Sequence, residues 1–268
     1  MNVLQARIES SLRASPLFSA LGPEGARALA PHVKRRRFER GASVWRAGQD
    51  AAWMALVASG LVKIVQPGGA ILAILGPHET FGELAVVGDG AYAADAVAAS
   101  RSVELLCIDA SAFRAASKAD DEFARAISKS LVGHARALHE KIRILSAGCV
   151  ERRLAALLRH LLDRFGDEME DGSTVIQISL SRAELASLVG ATIETTIRIM
   201  SRWHRQGIVS TAEEGFFVHA PRRLAELLGV LPECGEWGRD SLPRAPVGGP
   251  VCHRDIRGAA GSRRAARG

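Results

Sequence analysis

The spacing of apolar residues changes along this chain, and each change predicts a different kind of element. Residues 3–30 are rich in Ala and Leu, break at Ser15-Pro16, and read as short helices. From Val33 onward, short apolar runs at 43–45, 53–58, 61–65, 71–75, 96–98 and 103–108 alternate with glycines such as Gly41, Gly48, Gly60, Gly68, Gly76, Gly82 and Gly90. Strands at such short spacing, punctuated by turns, indicate an all-β barrel or jelly roll. From about Asp109 the period becomes helical. Over 121–145, Phe123, Ile127, Leu131, His134 or Ala135, Leu138, Ile142 and Leu145 step by three or four. That is one thin stripe on a helix of roughly 35 Å. A narrow seam of this kind suits pairing with a second copy of itself; the plainer alternative is a helix packed on its own barrel. Ser146-Ala147-Gly148 breaks the helix as a hinge. Leu154, Leu157, Leu158, Leu161 and Leu162 mark a further amphipathic helix over 151–165, and 174–178 alternates as a strand.

Residues 179–209 carry the most specific pattern. Two short helical runs are separated by Gly190 and closed by Gly207. Ser181 with Glu184 three residues on forms a capping-box signature for the first. Leu185, Leu188 and Val189 supply its packing stripe. At about 100° per residue, Thr196, Ile199, Met200 and Trp203 share the inner side of the second helix. Ile193, Glu194, Ile197 and Arg198 share the outer side. Isoleucines beside a glutamate and an arginine make a poor solvent face and a good major-groove face: Arg pairs with guanine, Glu accepts from cytosine, and apolar side chains touch thymine methyls. Thr192 and Thr195 at the start of this helix, and Arg182 at the start of the preceding one, are the candidates for phosphate contacts. A hairpin follows, 208–210 with 216–219 and its tip at 212–215, completing a winged helix. After Pro232 the chain turns to Gly, Pro, Arg and Ala and reads as a disordered tail.

Charge adds little to this picture. The formal net charge of the 268 residues is +6, but residues 233–268 hold seven Arg against four acidic residues, half of that excess. The folded part is only mildly basic, so the case for nucleic acid rests on the helix face rather than on pI. Cys107, Cys149, Cys234 and Cys252 are scattered, without C-x-x-C or zinc-ligand spacing, which fits a reducing cytoplasm. Arg7, Glu9 and Arg13 occupy the region where a signal peptide would be apolar, and the longest apolar stretch, 51–62, is too short to span a bilayer. A cytoplasmic protein without membrane contact is expected. No nucleophile–base pair, metal constellation or phosphate loop marks an enzyme. The run Lys34-Arg35-Arg36-Arg37 reads as a solvated strand face leading into the barrel, with a nucleic-acid patch as the alternative.

A glycine-punctuated barrel, a long helix and a winged helix-turn-helix, in that order, resemble the Crp/Fnr family of bacterial transcription regulators. The resemblance spans roughly 15–222 and is carried by Gly60-Leu61-Val62-Lys63-Ile64, by Phe81-Gly82-Glu83-Leu84, and by the stretch from Leu185 to Arg198. It implies an α+β chain with an N-terminal extension (1–14) and a jelly-roll sensor barrel like a cyclic-nucleotide-binding domain (15–118). A dimerisation helix (119–147, seam Ile127, Leu131, His134, Leu138, Leu145), a winged helix-turn-helix (148–222) and a C-terminal tail (223–268) follow. It further implies a homodimer on a near-palindromic operator of double-stranded DNA, acting through RNA polymerase, with a small-molecule effector shifting the domains about the hinge.

The departures from the family pattern shape the cofactor expectations. Members that bind cyclic AMP carry an Arg-Ser pair about ten residues after Gly-Glu-Leu; here those positions are Ala93-Ala94, flanked by Tyr92 and Asp95. Gly82, Glu83, Leu84, Ala93 and Ala94 therefore read as a degenerate effector pocket, and cyclic AMP is not expected. The iron–sulfur branch needs a cysteine cluster near the N-terminus, and no cysteine precedes Cys107. Haem would need an axial ligand from His78, His134 or His139, which read more plainly as structural histidines, so no cofactor is expected. Cys149 at the hinge is a candidate redox position, Cys107 a buried inert thiol. The reading helix keeps the glutamate and arginine of the family, with Ile193 where cyclic-AMP members have an arginine. The wing tip Ala212-Glu213-Glu214 lacks basic residues. That acidic tip leaves an alternative open: a sensor acting mainly through protein contacts, with a weak DNA domain.

Overall fold

The computed structural model describes residues 3–88, 90–170, 172–212 and 215–229. Helices α1 (Val3–Ala14) and α2 (Gly22–Leu29) lead into the strands β1 (Val33–Glu39), β2 (Ser43–Trp45), β3 (Trp53–Ser59), β4 (Val62–Val65), β5 (Ile71–Leu75) and β6 (Thr80–Phe81). A short helix α3 (Glu83–Val87) precedes β7 (Asp95–Ala98) and β8 (Ser102–Asp109). The strands form two antiparallel four-stranded sheets, ordered β1-β8-β3-β6 and β2-β7-β4-β5. The expected barrel is thus a jelly roll of two separate sheets whose inner faces meet, with Val44, Ala55, Val57, Val62, Ala96, Val103 and Leu105 between them. Strands β3 and β8 are almost continuously apolar because both of their faces are covered. Ala55 pairs with Cys107 and points inward; the next residues, Leu56 and Leu106, point out toward the helices. Gly60 closes the β3–β4 turn at φ +79°, where a Cβ would lie 2.3 Å from the Ser102 carbonyl oxygen.

Helices α4 (Ala110–Ala119) and α5 (Asp121–Leu145) follow, capped by Asp109 and Asp120, each accepting backbone N–H bonds. Two expectations are corrected here. The segment 1–14 is no extension: Ile8 and Leu12 of α1 pack with Phe18, Phe113 and Phe123 in the core outside the first sheet. The stripe on α5 is covered over only part of its length. Phe123 and Ile127 are buried in that same core with Leu131 packed against it, so Ile127 and Leu131 are covered by their own chain. His134 is half-buried, whereas Leu138, Ile142 and Leu145 lie exposed.

Beyond the hinge come α6 (Val150–Phe165), β9 (Gly166–Glu168), β10 (Thr174–Ile176), α7 (Arg182–Val189), α8 (Ile193–Arg205), β11 (Val209–Ala212), β12 (Gly215–Val218) and α9 (Pro221–Leu228). The wing is a sheet ordered β11-β12-β10-β9. The tail boundary at 223 is corrected as well, because α9 runs to Leu228 and buries Leu224 completely. The rest of the expected tail, with Cys234 and Cys252, lies outside the described residues. The core of this second half is not its own. Leu61, Ile71, Ile74 and Ala99 of the sensor join one apolar cluster with Leu154, Leu158, Leu185, Leu188, Trp203 and Phe216. Polar contacts line the same seam: Lys63 Nζ pairs with Glu184 Oε1 at 2.5 Å, and Arg164 Nη2 with Glu79 Oε2 at 2.6 Å. Ser187 Oγ accepts from the Ile71 N–H at 3.2 Å.

Candidate nucleic-acid interface

The start of α7 is fixed by a reciprocal cap. Ser181 Oγ accepts from the Glu184 N–H at 3.1 Å, and the Glu184 carboxylate accepts from the Ser181 N–H at 2.9 Å. Burial works against the charge on Glu184, but its bonds to Lys63 and Ser181 prevail and hold its pKa below the ordinary value. The helix ends at Gly190, whose φ of +60° is the left-handed conformation a glycine adopts without strain. Thr192 then caps α8, accepting from the Thr195 N–H at 3.3 Å, and the two hydroxyls lie 3.2 Å apart.

One side of α8 is sealed into the core: Thr196, Ile199, Met200 and Trp203 are all buried. The opposite side brings together Ile193, Glu194, Ile197 and Arg198, all exposed. The two isoleucines are 45% and 46% accessible, a large apolar exposure for a helix whose other face is fully covered. Arg182 takes a different place from the one expected. Its guanidinium is half-buried, burial lowers its pKa, and Nη2 donates to Thr211 Oγ1 on β11 at 2.9 Å. It braces the wing instead of standing ready for a phosphate. The wing-tip residues Glu213 and Glu214 lie outside the described residues.

Three charged residues around the hinge were not singled out by the sequence. Lys141, near the end of α5, donates to the Leu188 carbonyl at 2.6 Å, and burial draws its pKa down to about 8. Arg153 Nη1 donates to the Val189 and Gly190 carbonyls at 2.8 and 3.1 Å. Glu151 accepts from Trp203 Nε1 at 3.0 Å and from Arg202 Nη2 at 2.6 Å. Their partners lie some 36 to 52 residues away in sequence, beyond the reach of any local pattern.

In the sensor, Gly82 sits at φ +91°, and a Cβ there would lie 3.0 Å from the Trp45 ring. The Trp45 indole donates to the Ala94 carbonyl at 3.2 Å. It stacks on Tyr92 with centroids 4.0 Å apart and lies 4.8 Å from Phe81 and 5.0 Å from Trp53. Tyr92 in turn donates to the Trp53 carbonyl. So Gly82 and Ala94 do meet, but across an indole. Glu83 is fully buried; its Oε1 accepts from Thr80 and, at 3.3 Å, from Ser130 of α5. Leu84 is 65% exposed and Ala93 is exposed, so neither lines a cavity with Glu83. His78 and His139 are exposed and His134 half-buried. Burial pushes the Cys107 thiol up to about 12, leaving it protonated, while Cys149 is half-buried at the start of α6. Among the described residues no helix is long and apolar enough to cross a membrane.

The family models match these two halves. Residues 35–120 match the cyclic nucleotide-binding domain, and residues 152–227 match the Crp-like helix-turn-helix domain. The chain belongs to the Crp/Fnr family of transcription regulators. It is 26% identical over 222 residues to a CRP-like cAMP-activated global transcriptional regulator of Mycobacterium tuberculosis, covering 81% of this chain and 98% of the relative. It is 29% identical over 203 residues to a cyclic AMP receptor protein of Thermus thermophilus, covering 74% and 89%. The solved FixK2 structure from Bradyrhizobium japonicum superposes with a TM-score of 0.62 at 21% identity, over 73% of this chain and 96% of that one. As a Crp/Fnr regulator the chain acts on transcription through its DNA-binding helix-turn-helix, and the family is one of regulators rather than enzymes.

Proposed function

We propose that this regulator reads a near-palindromic operator as a homodimer, using the outer face of α8, and does so without cyclic AMP. The observation that carries the reading is the joint exposure of Ile193, Glu194, Ile197 and Arg198 on a helix whose other face is sealed. Arg198 donates two hydrogen bonds to guanine, Glu194 accepts from cytosine on the partner strand, and the isoleucines cover thymine methyls. The open first turn of α8, with Thr192 and Thr195, holds a backbone phosphate. The exposed rear half of the α5 stripe, Leu138, Ile142 and Leu145, supports pairing with a second copy, which would supply the second half-site. Operator-bound dimers then act on RNA polymerase.

The sensor residues do not fit a cyclic nucleotide. The Trp45 ring lies between Gly82 and Ala94, and Ala93 and Ala94 offer no cation for a phosphate. The sensor core is filled by the chain's own side chains. Selection of bound duplexes from a random pool tests the DNA reading. The expected half-site has a T-G-A core, and Arg198→Ala costs about 1–3 kcal/mol per half-site and relaxes the guanine. A selected pool with no preferred guanine would refute it.

A further inference from the structure

We propose that Glu151 is a positioning residue that sets the angle of the reading helix, an inference that rests on the base-reading assignment of α8. Glu151 lies in the first turn of α6, just past the hinge glycine Gly148. Its two oxygens take two different donors from consecutive residues of α8: Oε1 accepts from Trp203 Nε1 at 3.0 Å and Oε2 from Arg202 Nη2 at 2.6 Å. The Trp203 side chain is fully buried, so its N–H has no recourse to water if Glu151 leaves, and an unsatisfied buried donor is costly. A carboxylate in the first turn of a helix is favourably placed in that helix's own dipole.

The same turn of α6 grips the other end of the motif. Arg153 donates to the Val189 and Gly190 carbonyls at 2.8 and 3.1 Å, holding the turn from which α8 starts. Glu151 and Arg153 therefore hold the reading helix at both ends from one helical turn, and any rotation at the hinge carries α8 with α6 as a unit. Ten residues separate Trp203 from Ile193, about 15 Å of helix. A tilt of roughly 10° at the Trp203 end would move the base-reading end by about 2.5 Å, enough to break a bidentate contact whose geometry is set to tenths of an ångström.

The test measures affinity for the selected operator, for the same duplex with both guanines replaced, and for a random duplex, well below the melting temperature. For Glu151→Ala the discrimination between the first two is expected to fall about tenfold, with random-duplex affinity within about threefold of wild type. Glu151→Gln, which keeps an acceptor for Trp203 but not the ion pair, is expected to recover part of the discrimination. If Glu151→Ala does not fold, Arg202→Gln carries the test, since it leaves Trp203 anchored and is expected to lower discrimination about threefold. A folded variant that melts earlier yet discriminates as wild type does overturns the proposal, because a merely structural role predicts that result. Wild-type protein with no discrimination overturns the base reading itself, and the positioning role with it.

Discussion

The sensor interior and the outer face of α8 are both apolar surfaces at positions where the fold offers a partner, and they end up in opposite conditions. Inside the jelly roll, Trp45, Tyr92, Phe81 and Trp53 contact one another, and the polar tips of Trp45 and Tyr92 find backbone carbonyls at Ala94 and Trp53. The indole N–H and the phenol O–H of this cluster are thus both satisfied by the chain itself. On α8, Ile193 and Ile197 remain 45% and 46% exposed among the described residues. A surface covered by its own chain has little apolar area to offer a partner, and one left exposed has more.

Removing the indole is the strongest way to break this contrast. Trp45→Ala should destabilise the protein by about 3–5 kcal/mol in denaturant unfolding. Cyclic AMP added to the wild type should leave its melting temperature where it was; a rise that grows with nucleotide concentration would show a true ligand site. Two isoleucines on opposite sides of α8 sharpen the comparison. Ile199→Ala, in the core, should cost about 2–5 kcal/mol of stability. Ile197→Ala should stay within about 0.5 kcal/mol and instead weaken operator binding. Equal stability losses at the two positions would mean that the outer face is covered. A smaller effect than in either core is expected at the exposed half of α5. Leu138→Ala should weaken dimerisation about tenfold, or about 1.4 kcal/mol, in sedimentation equilibrium. An unchanged dissociation constant there would remove the seam.

The reading helix was legible because its meaning is local. A period of 3.6 residues sorts Ile193, Glu194, Ile197 and Arg198 from Thr196, Ile199, Met200 and Trp203 without reference to any other segment. The capping box at Ser181 and Glu184 is local too, but the same carboxylate also pairs with Lys63, a contact that spans both halves of the chain. Where a stripe is covered over only part of its length, periodicity cannot show it. Ile127 and Leu138 look alike in sequence, and only the fold of α1 and α4 decides that one is covered. The sensor was legible only in part: Ala93-Ala94 can be read from the sequence, but Trp45 reaches Gly82 and Ala94 only after the strands have paired. Arg182 has the position of a phosphate ligand and the length to reach Thr211 instead. Strand β9 was missed because Gly166, Asp167 and Glu168 carry no apolar signal; they pair with β10 at the sheet edge.

The apolar cluster that runs from Leu61, Ile71, Ile74 and Ala99 into the winged helix has a practical result for anyone recombining such proteins. A chimera spliced at Gly148 would join two surfaces that never matured together, baring leucines on one side and isoleucines on the other. Grafting a foreign reader onto this sensor therefore means transplanting the β4–β5 hairpin along with it, and heat should melt both halves of the native chain in a single cooperative step.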